Sequence, residues 1–412
     1  MAYVAVRGGQ EAIEASLELL AWERTESGCS LEVKDLMAAF PNLIDQVMGE
    51  SSLYAPELAA LALKQAQGSC EEAVFLLRAF RSTLERPFIS RIVEPSTMNV
   101  QRRISAAFKD IPGGQILGAT RDYSHRLLDF NLLEENDETI SEFRQAMLDK
   151  WNKEAKAEKP KQPASSTGKL PKVADYLRAE GLLPQHENDN ALPCDVTLEP
   201  LVFPTKRSAR LQTLTRGMTQ AVNALGYAAI RGFGPAHPTV AELRYGTIEI
   251  LIDHPLVTQD NVAEGLGSKA FEQTEAAGKE TLKANDVSDS SDAYYLGSMP
   301  VTEAESLFET EIEKVDGSKE LAFNLGYGMV MGREETKAIA MSVLDNCLMM
   351  GDKAFPTQDE EFVLYHVDGI EATGFISHLK LPHYVTFQSK LSSVRKTKEK
   401  REKTGGADEH SI

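Results

Sequence analysis

Cysteine is scarce in this chain, with four among 412 residues (Cys29, Cys70, Cys194 and Cys347), far apart and without a CxxC pair. That excludes a disulfide framework and a cysteine-only zinc site, and it fits reduced thiols. Long apolar runs are also missing: Arg78 cuts AVFLLRAF, and MAYVAVRGGQEAIEA has no apolar core ahead of Glu11 and Glu14. The expectation is a cytoplasmic protein without a leader or a membrane span. Positive charge is in deficit, 44 Lys and Arg against 62 Asp and Glu for a net charge of −18. A chain that wraps nucleic acid needs a basic surface to displace phosphate counterions, so that class is excluded. No GxxxxGK, HExxH, GxSxG or DxDxG run occurs, and GFGPAH and GYGMVM fail as dinucleotide fingerprints, with His237 and Met331 at the third glycine position. A P-loop kinase and a Rossmann site are therefore not expected.

What is present is a globular composition, 42% hydrophobic and 26% charged, at a length that suggests two or three domains. Ala73, Leu76, Leu77, Phe80 and Leu84 recur at helical spacing ahead of Pro87, predicting a helix with one buried face. Pro56 and Gly68 bracket another segment, so residues 1–86 read as an antiparallel helical group. In QRRISAAFKDIPGGQILGATRDYSHRLLDF a short amphipathic stretch enters a Pro-Gly-Gly turn and a second helix-like stretch leaves it. Residues 135–158 read as a charged helix and KPKQPASSTGK as a flexible linker.

Beyond the linker, SARLQTLTRGMTQAVNAL (208–225) reads as a helix, whereas GYAAIRGFG (226–234) and YGTIEILI (245–252) read as strands. Acidic residues dominate 264–316, including Glu303 and Glu305, and the expectation there is a solvated face with a mobile SDSSD loop. GYGMVMG (326–332) reads as a strand or turn and ETKAIAMSVLDNCLMM (335–350) as a buried helix, with Met329, Met331, Met349 and Met350 expected in the core rather than on a partner surface. The Asp359–Glu361 run suits a helix start, and the tail from Arg395 reads as frayed. The fold class is α+β. A mainly helical N-terminal domain (1–158) is followed by a linker (159–171), a mixed α+β domain (172–394) and a disordered tail (395–412).

Two constellations carry chemistry. Arg102, Arg103, Lys109, Arg121, His125 and Arg126 surround Gly113 and Gly114; flexible glycines let backbone N–H groups approach phosphate oxygens that the cations neutralise. The alternative is a set of salt bridges to Asp110, Asp122 and Asp129. His378 and His383 form the best ligand pair among eight histidines. Their spacing separates them by about 140° on a helix and puts them on opposite faces of a strand. Joint metal binding therefore requires a turn, which Pro382 can provide. Arg231, His237 and Arg244 are second-rank candidates around the GFG turn.

At RRISAAFKDIPGGQILG, DYSHRLLDF, RGFGPAHP, GYGMVMG, DEEFVLYH and GFISHLKLPHYVTFQ the sequence resembles the I subunit of the bacterial carbon–phosphorus lyase core complex. The resemblance runs from MAYVAVRGG to FQSKL, with divergence expected in 135–205, 258–320 and the tail. It implies a role in phosphonate catabolism. With its G and H partners and an ABC-type L subunit, the family replaces adenine on ATP by an alkylphosphonate, forming α-D-ribose 1-methylphosphonate 5-triphosphate; J and an ABC-type K subunit are further implied partners. Alone, the subunit is implied to hydrolyse ATP or GTP to base and ribose 5-triphosphate. Two copies per complex are implied, as is zinc at the J interface held by an HxxxxH motif that His378 and His383 match. On this reading the basic Arg102–Arg126 segment is assigned to the triphosphate. The alternative is a non-catalytic scaffold that completes a partner's metal and substrate site.

Overall fold

The computed structural model describes residues 9–26, 28–157, 170–185, 193–232, 237–254, 293–313 and 319–405. The expected 159–169 linker and SDSSD loop lie outside the described residues, as does most of the acidic stretch.

The chain opens with α1 (Gly9–Thr25), α2 (Val33–Ala39), α3 (Pro41–Ser51), α4 (Pro56–Gln65) and α5 (Cys70–Arg81). Proline at the first position starts α3 and α4, and the Ser69 hydroxyl accepts the Glu72 N–H to cap α5. Ile44, Val47, Met48, Ala60, Leu63, Val74 and Leu77 form the core of α2–α5. The apolar stripe of α5 is shorter than its spacing predicts, because the helix ends at Arg81 and leaves Phe80 and Leu84 exposed. Arg78 binds the Asp368 carboxylate at 2.8 Å and the carbonyls of Glu50 and Arg216, each at 3.1 Å, tying this group to the C-terminal part.

Next come β1 (Asn99–Ile104), an irregular stretch, α6 (Asp137–Ala157), α7 (Val173–Ala179), α8 (Arg207–Arg216) and α9 (Thr219–Arg231). The strands β2 (Thr239–Asp253), β3 (Ala293–Glu313) and β4 (Lys319–Met331) precede α10 (Glu335–Met350), α11 (Glu360–His366), α12 (Gly369–Ser377) and α13 (Tyr384–Gly405). The strands form one antiparallel sheet in the order β1-β2-β3-β4. Because β1 pairs with β2, the sheet spans the expected boundary at 159–171.

Side chains alternate across a strand, and β3 uses the alternation to separate two environments. Ala304, Ser306 and Phe308 face α10: Ala304 joins a core with Leu243, Val330, Met341 and Leu344, and the Ser306 and Ser342 hydroxyls meet at 2.6 Å. Gly326 and Gly328 let that helix lie on the sheet, since a Cβ at either would come within about 2 Å of the Ser342 or Ala338 carbonyl oxygen. The other face carries charge, and beside it Leu307 and Ala241 pack on Val173, Ala174 and Leu177 of α7.

Several expectations are corrected. GYAAIRGFG is the end of helix α9 up to Arg231, not a strand; a Cβ at Gly226 would sit 2.8 Å from the Ala340 Cβ, so that glycine serves a close helix crossing. The 208–225 helix is broken at Gly217 into α8 and α9. QRRI is strand β1 rather than an amphipathic helical stretch, and only short 3₁₀ turns (Arg121–Tyr123, Phe130–Leu133) follow the Gly-Gly turn. From Ala293 to Glu313 the acidic stretch is β3, with Glu303 and Glu305 buried rather than solvated. The tail from Arg395 to Gly405 is helical. Met349 and Met350 are exposed, not core.

Candidate functional site

The charged face of the sheet follows from strand register. Arg244 lies opposite Glu303 across β2 and β3, Glu242 opposite Glu305, and Arg103 of β1 opposite Arg244. The Arg103 Nε donates to Glu242 at 2.5 Å, and the Arg244 guanidinium donates to Glu303, its Nε at 2.9 Å. Lys172, immediately before α7, places its ammonium 2.6 Å from Glu303 and 2.8 Å from Glu305. The second Glu242 oxygen accepts the Val173 N–H at 2.9 Å. Tyr327 on β4, opposite Glu305, hydrogen-bonds Glu303 and carries the Lys172 ammonium 5.8 Å from its ring centre. Two polar atoms of this layer have no hydrogen-bond partner: Glu305 Oε2 and Arg244 Nη1.

Buried charges are costly unless paired, and the pairing here is uneven. Burial pushes the Glu303 carboxyl up, but Lys172 and Arg244 outweigh it and hold it below the usual carboxylate range. Burial also pushes Glu305 up; Lys172 offsets only part of this, Glu303 adds to it, and the group stays above its ordinary value. Burial lowers Lys172, yet Glu305 and Glu303 hold it above the ordinary lysine value. Two neighbouring carboxyls thus sit on opposite sides of their normal titration, a pattern that marks acid and base roles in active sites.

These groups open into a cleft of about 740 Å³ lined by Lys172, Arg178, Arg207, Glu303, Glu305 and Tyr327, among others. The volume lies in the range of small-molecule sites. Arg207 reaches in from the start of α8 and is held by Asp345 at 2.6 Å.

The basic Gly-Gly segment takes a different form from the one expected. Arg102 and Arg103 are buried. Arg102 pairs with Glu335 at 2.6 Å and meets the Tyr123 hydroxyl at 3.1 Å, while Arg103 also donates to the Pro112 and Pro171 carbonyls at 2.7 and 2.8 Å. Gly113 and Gly114 have φ of +86° and +76°. A Cβ at Gly113 would fall 3.0 Å from the Arg103 guanidinium. The turn therefore wraps a protein cation with carbonyl oxygens, and the guanidinium groups of Arg102 and Arg103 are engaged by protein partners. Lys109, Arg121, His125 and Arg126 are exposed, with Arg126 3.6 Å from Asp122.

His378 and His383 do come together, their ring centres 5.5 Å apart. A 3₁₀ turn (His378–Lys380) and Pro382 separate α12 from α13. The His378 Nδ1 contacts the Phe375 carbonyl and the His383 Nδ1 the Leu381 carbonyl, the latter at 2.6 Å. With a carbonyl as acceptor, Nδ1 is the donor in each ring, which leaves Nε2 as the atom through which a metal would be bound. No group of three candidate ligands occurs among the described residues, so a tetrahedral site would need donors from elsewhere. The pair stands in an exposed apolar setting of Phe375, Ile376, Leu379, Leu381, Tyr384 and Phe387.

Of the second-rank candidates, Arg244 is central to the charged face, while Arg231 and His237 are exposed. Asp359 caps α11, accepting the Glu361 N–H at 3.0 Å. Sequence reasoning passed over Lys172, Glu303, Glu305 and Tyr327. The signal for the two carboxylates was the alternation of Glu303, Glu305 and Leu307 with Ala304, Ser306 and Phe308, the two faces of a strand.

Residues 2–401 match the family described as bacterial phosphonate metabolism protein (PhnI). The chain is 39% identical over 406 residues to a putative C-P lyase subunit protein, HtxH, of Stutzerimonas stutzeri, covering 97% of each. It is 38% identical over 410 residues to the alpha-D-ribose 1-methylphosphonate 5-triphosphate synthase subunit PhnI of Escherichia coli K12, covering 97% of this chain and 99% of the relative. The protein of the same name from Rhizobium meliloti 1021 is 36% identical over 421 residues, covering 98% of both.

Proposed function

The chain belongs to the PhnI family of bacterial phosphonate metabolism proteins, and we propose that, with partner subunits, it transfers the ribose 5-triphosphate moiety of ATP to an alkylphosphonate with release of adenine. It is a carbon–phosphorus lyase subunit in phosphonate metabolism. The finer reading is supported by the relatives' name, a synthase subunit for a ribose 1-phosphonate 5-triphosphate, and the observation that carries it is the nucleotide-sized charged cleft on the sheet. Alone, the chain acts as a purine nucleoside triphosphate nucleosidase, with water in place of the phosphonate.

The partners proposed are G, H and J subunits and ABC-type K and L subunits, with two copies of this chain per complex. The His378/His383 pair and its apolar surround support a zinc shared with a partner. When bound there, zinc would supply Lewis-acid contacts to phosphonate or phosphate oxygens. The exposed cations Lys109, Arg121, His125 and Arg126 remain proposed triphosphate contacts. The exposed apolar groups favour a scaffold as the second reading.

The discriminating experiment incubates the purified chain with ATP or GTP and assays free purine. Purine release supports a catalytic site in this chain; no release alone, followed by release once partners are added and unchanged by substitutions in the cleft, favours the scaffold.

A further inference from the structure

Breaking a bond at an anomeric carbon builds positive charge on the sugar and negative charge on the departing group. An enzyme for this step needs an acid that protonates the leaving base, an anion beside C1′, and cations for the phosphates. On the described part of the chain, those requirements converge in the cleft over the charged sheet face.

Resting on the ribosyl-transfer reading, we propose that this cleft is where the N-glycosidic bond of the purine nucleoside triphosphate is cleaved, with Glu305 as the acid that protonates the base and Glu303 as the carboxylate that stabilises the sugar cation. Glu305 lines the cleft while only 4% exposed, and its Oε2 has no hydrogen-bond partner. A buried, unpaired carboxyl oxygen costs stability, and a ligand that accepts its proton would satisfy it. Glu303, held by Arg244, Lys172 and Tyr327, is fixed as an anion. Lys172, Arg178 and Arg207 line the same cleft as cations for phosphate, and the Tyr327 ring offers a flat apolar surface for a base.

The C1′–N9 bond breaks with its electron pair going to N9, and the Glu305 proton moves to N7 of the purine, which leaves neutral. In hydrolysis, water oxygen bonds to C1′ and a water proton returns to the Glu305 carboxylate. In transfer, a phosphonate oxygen anion bonds to C1′ and Glu305 regains its proton from solvent.

The test is Glu305→Gln in the full chain, alone and assembled with its partners, assayed with ATP and with an N7-methylated purine nucleoside triphosphate, whose cationic base departs without protonation. With ATP, adenine release should fall about a hundredfold to ten-thousandfold, with ATP binding changed by less than about threefold; with the N7-methyl substrate the variant should approach wild type. A structural role would depress both substrates alike, and that result overturns the proposal, as does wild-type adenine release by the variant. If Glu305→Gln does not fold, Glu305→Asp serves, since a misplaced acid should slow ATP while sparing the N7-methyl substrate. If wild type releases no adenine in any assembly, the ribosyl-transfer reading fails, and this proposal with it; if wild type releases adenine and the variant matches it, only the site assignment fails.

Discussion

Arg103 shows how a residue's chemistry is set by its face on a strand. In sequence, QRRIS next to a Pro-Gly-Gly turn reads as a phosphate cradle; in the fold, alternation sends Arg102 toward Glu335 and Arg103 toward Glu242. The types were legible and the partners were not, because Glu242 is 139 residues away. Removing the cation while keeping the volume takes from the buried Glu242 its closest ion-pair partner, a loss of about 3–5 kcal/mol. Arg103→Met should therefore lower stability by that amount in urea denaturation, while ATP binding by the folded fraction stays as in wild type. By the same physics Glu303 and Glu305, read as solvated in a run of acids, are buried because two cations from other segments, Lys172 and Arg244, meet them. The His378/His383 pair was legible because its partner lies five residues away and Pro382 announces the turn between them.

Among elements, helix α10 and strands β2 and β4 were readable from local pattern: an all-round apolar run, β-branched residues, and glycine brackets. Helix α9 was misread because Gly226 looks like a strand boundary, while its function is to bring α9 against Ala340. Gly326 and Gly328 serve the same end for α10 on the sheet. A methyl group at Gly326 would fall 2.0 Å from the Ser342 carbonyl oxygen, which belongs to helix backbone and cannot swing aside. Gly326→Ala should lower the melting temperature, with a loss of about 1–3 kcal/mol or more from overpacking. Gly114→Ala is the useful control: it has open space but a φ of +76°, so its cost is backbone strain alone. Equal melting temperatures for Gly326→Ala and wild type would contradict the close packing of α10.

The whole molecule joins a packed sheet-and-helix body to elements whose apolar residues face outward. Helix α1 has no buried residue and exposes Ile13, Leu17, Leu20 and Trp22; the α12–α13 region exposes Phe375, Leu379 and Phe387 around the histidine pair. Apolar groups on this scale mark surfaces for other proteins. Sequence periodicity finds an apolar stripe but not what covers it, so a covering partner was an expectation of the resemblance alone. On the shared-zinc reading, a His378→Ala, His383→Ala double variant keeps the melting temperature of the isolated chain and lowers zinc per assembled complex; unchanged zinc by elemental analysis would refute the site. The function proposed for the whole molecule is a contribution to ribosyl transfer from ATP to a phosphonate. The direct measurement is adenine release from ATP with methylphosphonate, by partner subunits with and without this chain. Release, matched by formation of the ribose 1-phosphonate 5-triphosphate, is expected only when this chain is present; equal release by the partners alone would refute the transfer role.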